Sequence, residues 1–151
     1  MFELKAESHT NVTVLRYSGN LLIGDVAEFS KQLEDHLLAP GIREVVLDLS
    51  HVEKVDTSGL GVLVSASTKG RGRGRRLVLL MPAPHVAELL RKAEIEGFFP
   101  TFESEEELKF AVAFLDIWQR SQEHGVNFEQ VLKDAIQQAT PNEDRKWVSI
   151  K

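Results

Sequence analysis

The chain has 151 residues, 42% apolar and 27% charged, with a formal net charge of −5. This is the composition of a packed globular protein rather than a disordered one, and the acidic balance argues against nucleic-acid binding as its main role. Cysteine is absent, which excludes disulfides, thiol nucleophiles and cysteine-ligated metal and suits a reducing cytoplasm.

The opening MFELKAESHTNV has neither a basic leader nor an apolar core of signal type, and no apolar run approaches bilayer length. A soluble, cytoplasmic protein without membrane insertion is expected. Residues 2–7 (FELKAE) and 12–18 (VTVLRYS) alternate apolar and polar, as half-buried strands do, and the polar His9-Thr10-Asn11 between them predicts a hairpin. Gly19 and Gly24 bracket a short apolar link. From Asp25 to Leu38, Val26, Phe29, Leu33 and Leu37 recur at helical spacing until Pro40-Gly41.

Glu44–Leu49 (EVVLDL) reads as a strand buried on both faces. After Asp56-Thr57-Ser58-Gly59, a helix is predicted with Leu60, Leu63, Val64 and Ser67 inward, broken over Gly70–Gly74. RLVLLM (76–81) is a further buried strand, His85–Glu96 a third helix stopped by Gly97, and FFPTFES a last short strand. The order is two strands followed by helix–strand three times. That implies an α/β fold with a mixed sheet, an N-terminal hairpin continued by parallel strands and crossover helices.

Ser104 and Glu107 form a capping box opening a helix to about Gln122. Leu108, Ala111, Val112 and Leu115 make one apolar stripe on it, and Phe110, Phe114, Ile117 and Trp118 a second that calls for another partner. A further helix from Asn127, with Phe128, Val131, Leu132, Ala135 and Ile136 on one side, is the nearest candidate; self-association through these C-terminal helices is the alternative. The boundary is set at residue 112, with a domain over 1–112 and a helical extension over 113–151.

The chemistry concentrates at Asp56-Thr57-Ser58-Gly59-Leu60-Gly61. A serine just after a buried parallel strand stands at the carboxyl edge of a sheet, where open α/β domains hold their sites, and is a natural N-cap for the helix it precedes. A nucleophile there needs a general base and an oxyanion hole. The G-x-S-x-G elbow is missing, with Asp56 where its first glycine belongs, and the five histidines show neither triad nor metal spacing. No catalytic residue, metal or cofactor is assigned. The Lys69–Arg76 run KGRGRGRR carries five basic residues without interleaved aromatics, so it reads as a glycine-rich connection rather than an RNA surface.

VLDLS at 46–50, DTSGLG at 56–61 and GFFPTF at 97–102, in this order and context, resemble the STAS domain family, most of all the bacterial anti-sigma factor antagonists. The likeness extends over about residues 2–112. It implies a non-enzymatic protein-binding module acting in transcription control. Ser58, with Thr57 as the rival hydroxyl, takes the place of the serine phosphorylated by an anti-sigma factor that is an ATP-binding serine kinase. The implied partner surface is Asp56, Thr57, Ser58, Gly59, Leu60 and Gly61 with Leu22 and Asp25. Two features depart from the family. Leu22 stands where many antagonists have an aspartate, with Asp25 three residues on, and the basic loop is longer than usual. STAS modules of stressosome scaffolds and of membrane transporters are the alternatives.

Overall fold

A computed structural model describes residues 1–124 together with residues 130 and 133. The chain divides into two compact units, Met1–Lys109 and Phe110–Lys151. In the first, strands β1 (Phe2–His9), β2 (Val12–Leu21), β3 (Glu44–Val55), β4 (Arg76–Leu80) and β5 (Thr101–Phe102) form one sheet in sequential order. β1 pairs antiparallel with β2, and every later pairing is parallel. Helices α1 (Val26–Leu37), α2 (Thr57–Arg71) and α3 (Pro84–Lys92) make the crossovers. The α/β fold with a mixed sheet is as the sequence implies.

The β1–β2 hairpin closes through Asn11, whose φ of 68° is the left-handed conformation that asparagine tolerates. Its carbonyl accepts the amides of Arg43 and Glu44, so the turn also anchors the start of β3. Period-2 alternation divides the sheet residues between two faces. Leu15, Tyr17, Val45, Leu47, Leu49, Leu77 and Leu79 join Phe29, Leu33 and Leu37 of α1, Leu60, Leu63 and Ala66 of α2, and Val86 and Leu90 of α3 in one core. Burying each large side chain stabilises by about 1.5–3 kcal/mol. Phe2 stacks on Tyr17 at 5.0 Å, and the Phe29 ring meets Tyr17 edge-on at the same distance. The Tyr17 hydroxyl donates to the Asn20 carbonyl at 2.5 Å; burial raises its pKa.

Val14, Val46, Val78 and Leu80 are also buried and lie on the alternate face. There Arg16 bonds Asp48 at 2.9 Å, and the same guanidinium pairs with Glu7 of β1 and with Glu105 in the first turn of helix α4 (Glu105–His124), both at 2.7 Å. Asp48 is 2% exposed and also accepts the Ser50 amide and hydroxyl. One cation thus ties three elements around one buried carboxylate.

Several boundaries differ from the sequence reading. β3 runs six residues past Leu49 because β2 stays paired with it as far as Val55, with Val52 inward and His51, Glu53 and Lys54 outward. α2 continues through Gly70 to Arg71, because a side chain at 70 would meet Leu37 Cδ2 at 2.9 Å, so the glycine serves helix packing rather than a break. Ala66 and Gly70 are buried on that helix, and Val64 only in part. α3 ends at Lys92, before Gly97, in a Schellman motif: Ile95 donates to the Leu90 carbonyl and Glu94 to that of Arg91, with Glu94 at φ 60° in the place usually given to glycine.

α4 begins after Ser104, whose hydroxyl accepts the Glu107 amide at 3.2 Å; the Glu107 carboxylate reaches back to the Glu103 amide, one residue short of a reciprocal capping box. In the second unit Ile117 is buried, whereas Phe110, Phe114 and Trp118 are each more than a third exposed, so Ile117 leaves the stripe it was placed in. Asp116 and Arg120 pair at 3.0 Å along the helix. The helix expected from Asn127 and the tail from Pro141 lie outside the described residues. Among the described residues no helix is long and apolar enough to cross a membrane.

Candidate functional site

The site is made where β2 and β3 outrun the rest of the sheet. β4 pairs with β3 only as far as Asp48, but β2 and β3 stay paired to Leu21 and Val55, with register shifts at Arg16/Ser18 and Gly19/Leu21. The link after Leu21 and the turn after Val55 therefore leave the sheet side by side. The Asp56 amide donates to the Leu21 carbonyl at 3.3 Å, holding them together.

Asp56 is the N-cap of α2, which corrects the expectation that Ser58 fills that role. Its backbone is extended (φ −130°, ψ −179°), and its side chain accepts from the amides of Ser58 at 3.0 Å and Gly59 at 3.4 Å. Ser58 sits two positions into the helix, where its hydroxyl donates to the same carboxylate oxygen, Asp56 Oδ1, in a short hydrogen bond. The other oxygen, Oδ2, accepts the amide of Ile23 at 3.0 Å. Aspartate and serine are comparably good caps, and the sequence offers both within three residues; the extended backbone at Asp56 decides between them. The Ser58 hydroxyl bond holds the Asp56 carboxyl below its ordinary value of 3.8, with the three amides adding to the effect and desolvation opposing it.

The expected surface residues do not share one environment. Thr57 and Gly61 are exposed, Ser58 and Leu22 half-buried, and Gly59 and Leu60 buried. A Cβ on Gly59 would lie 2.6 Å from Leu21 Cγ and 3.1 Å from the Leu21 carbonyl oxygen, so this glycine lets α2 approach β2; one on Gly61 would meet nothing within 4 Å. Asp25 is turned inward. Its carboxylate accepts the Leu22 amide at 3.0 Å and lies 2.7 Å from the Met1 ammonium, which is the main reason its pKa is lowered. It is 8% exposed and so is not a free acid on the surface.

The sequence places the Gly19–Asp25 link on the surface and singles out Leu22 and Asp25 in it; the residue that stands out in the structure is Ile23. It is 71% exposed, in the single 3-10 turn Ile23–Asp25 between β2 and α1, and Asp56 fixes its backbone. Its neighbours Leu21 and Leu22 have the same letter class, so only the fall in burial from Leu21 through Leu22 to Ile23 past the strand end distinguishes it. The arrangement is a half-buried hydroxyl at a helix start, an acid gripping it, and an apolar side chain held out from the next turn. Among the described residues no group of three or more His, Asp or Glu stands close enough to hold a metal ion.

At the opposite end of the sheet the basic run is largely engaged. Lys69 pairs with Glu34 at 3.0 Å and Arg76 with Glu44 at 2.9 Å. Arg71 donates to the Phe98 carbonyl at 2.6 Å and lies 4.1 Å over that residue's ring, and Arg75 donates to the Leu37 carbonyl at 2.8 Å. Burial raises the Glu44 pKa, against the pull of Arg76.

A family model for the STAS domain matches residues 3–108. Among solved structures, a candidate anti-sigma factor antagonist from Thermotoga maritima superposes with a TM-score of 0.66 and 24% identity, over 73% of this chain and 94% of its own. The Bacillus cell fate determinant SpoIIAA, in its phosphorylated form, gives 0.58 and 16%, over 74% and 99%. The murine Solute Carrier 26 family member A9 anion transporter gives 0.61 and 18%, over 71% of this chain and 18% of the transporter. At these identities the likeness is one of fold.

Proposed function

The chain belongs to the STAS domain family, and from this we propose that it is a phosphorylation-controlled protein-binding module of the anti-sigma factor antagonist kind. In this reading residues 1–112 are the working module in a bacterial cytoplasm, and 113–151 are an appended helical extension. With Ser58 unmodified, the module binds an anti-sigma factor that is also an ATP-dependent serine kinase; phosphate on Ser58 releases it. No catalytic step is assigned to Ser58. The contact surface is Asp56, Thr57, Ser58 and Gly61 with Leu22 and Ile23. Gly59, Leu60 and Asp25 support that surface from beneath.

The observation that carries this reading is the shared grip of Asp56 on the Ser58 hydroxyl and the Ile23 amide. A phosphate brings about −1.5 to −2 charges at neutral pH. On Ser58 it removes the hydroxyl donor, sets a dianion against the Asp56 carboxylate, and competes with it for the amides at the start of α2. Asp56 then loses its hold on the turn carrying Ile23. A local charge change thus alters both the electrostatics and the shape of the partner face without unfolding the module.

The test is phosphosite mass spectrometry on wild-type protein and Ser58→Ala after incubation with ATP and an extract of the source organism. Phosphate on Ser58 in the wild type and none at that turn in the variant supports the switch. Modification of Thr57 would move the acceptor by one residue. No phosphate on either protein in an extract active on a control substrate overturns the reading and leaves the transporter-linked or scaffold role.

A further inference from the structure

Ser58 opens α2; the helix's far end, roughly 20 Å away at 1.5 Å per residue, carries a second feature that the switch does not use. A pocket of about 340 Å³ lies there, lined by Ser67, Arg71, Arg75, Arg76, Leu77 and Pro100. Arg76 is neutralised by Glu44, but among the described residues neither Arg71 nor Arg75 has a carboxylate within 4.0 Å. Both are nonetheless held still. Arg71 is fixed by the Phe98 carbonyl and ring, and Arg75 by the Leu37 carbonyl. A carbonyl orients a guanidinium and takes one of its five N–H groups without cancelling its charge.

The carbonyls at the end of α2 do not consume the remaining donors. Those of Thr68, Gly70 and Arg71 already accept the amides of Gly72, Arg73, Gly74 and Arg75. Ser67 is 2% exposed and lines the pocket; among the described residues the fully buried side-chain oxygen without a partner is Asn20 Oδ1, so the Ser67 hydroxyl is not a sealed, unanswered group. Two arginines, each held by a carbonyl, and Ser67 therefore line one concavity, with the apolar walls of Leu77 and Pro100 beside them.

We propose that this pocket is a binding site for a small phosphate monoester. Two guanidinium forks match the dianion in charge and geometry, as arginine does at phosphate sites generally, and the Ser67 hydroxyl supplies one more donor. Leu77 and Pro100 leave room for a short carbon body beyond the phosphate. The site stands apart from the Ser58 reading and survives its failure.

The full chain, labelled with nitrogen-15, would be titrated separately with inorganic phosphate, glycerol 3-phosphate and acetate at constant ionic strength, following amide shifts. Saturable shifts confined to Ser67, Gly74, Arg75 and their neighbours are expected, tighter for glycerol 3-phosphate than for inorganic phosphate and absent with acetate. Arg71→Gln with Arg75→Gln should weaken binding at least about 10-fold, and Ser67→Ala, which touches neither tether, several-fold. Shifts that do not saturate, or that spread over every surface Lys and Arg, would mean an adventitious ion only and overturn the site. So would an acetate response equal to that of glycerol 3-phosphate, or unaltered binding in Ser67→Ala.

Discussion

The Ile23 amide donates to Asp56 Oδ2 at 3.0 Å across 33 positions of sequence, while the other oxygen of that carboxylate takes the Ser58 hydroxyl. The exposed isoleucine is therefore positioned by the residue that senses the serine. Ile23→Ser should leave stability within about 0.5 kcal/mol, since the side chain is solvated, and yet weaken binding of the proposed partner by about 10-fold or more, as removal of an apolar anchor does. Thermal melting and a binding titration on the same samples check this. Unchanged affinity would remove Ile23 from the interface.

The Ser58–Asp56 bond has a signature in acid. A carboxyl with a folded pKa below its ordinary 3.8 contributes stability that is present above that value and lost as pH falls through the folded value. Ser58→Ala deletes the largest cause of the depression. The Asp56 titration, followed by carboxyl carbon NMR, should then move up towards 3.8. The cap itself remains, so the variant should stay folded at neutral pH. An unmoved titration would show that the hydroxyl does not engage Asp56.

Gly59 and Gly61 should respond in opposite ways. Gly59→Ala forces a Cβ to within 2.6 Å of Leu21 Cγ and 3.1 Å of its carbonyl oxygen. Such overpacking costs about 1–3 kcal/mol, against about 1 kcal/mol regained in helix propensity. Gly61→Ala meets nothing within 4 Å and should stabilise by about 0.5–1 kcal/mol. If Gly61 is also where a partner approaches, Gly61→Ala will melt higher and bind more weakly. Denaturant midpoints and affinities separate the two effects.

Removing Arg16 strands Asp48, which is 2% exposed. Arg16→Leu should cost about 3 kcal/mol, because breaking a buried pair leaves a charge without its partner. Replacing both Arg16 and Asp48 with leucine should recover most of that loss. If the double variant is as unstable as the single, packing rather than charge is what Arg16 supplies.

Glu94 occupies the left-handed position that ends α3. Glu94→Gly should stabilise by about 1 kcal/mol, since only glycine takes this conformation without a steric cost. A chemical-denaturation midpoint that fails to rise would mean the Glu94 side chain has a compensating role.

The order of elements was readable because period-2 and period-3.6 patterns alternate cleanly between Phe2 and Phe102, and Asn11 and Pro40-Gly41 punctuate them. Strand and helix ends were less readable. Ser50–Val55 is mostly polar, with one valine on each face, and Gly70 looks like a breaker until the Leu37 side chain is seen beside it. The site was legible as a turn but not as a network. DTSGLG marks the place, whereas Ile23 joins it only because β2 and β3 extend together to Leu21 and Val55. That is a fact of register, which local sequence does not encode.

The aromatic residues are divided between the two units. The chain's one tyrosine, Tyr17, lies under the Phe2 and Phe29 rings in the first unit, while Trp118 belongs to the second and the other tryptophan, Trp147, lies outside the described residues. Each unit therefore carries its own intrinsic optical reporter. Tryptophan fluorescence under selective excitation follows the C-terminal unit, and second-derivative tyrosine absorbance follows the module with the serine. Superimposable melting curves would mark a single cooperative transition, and separate ones would allow either unit to be lost without the other.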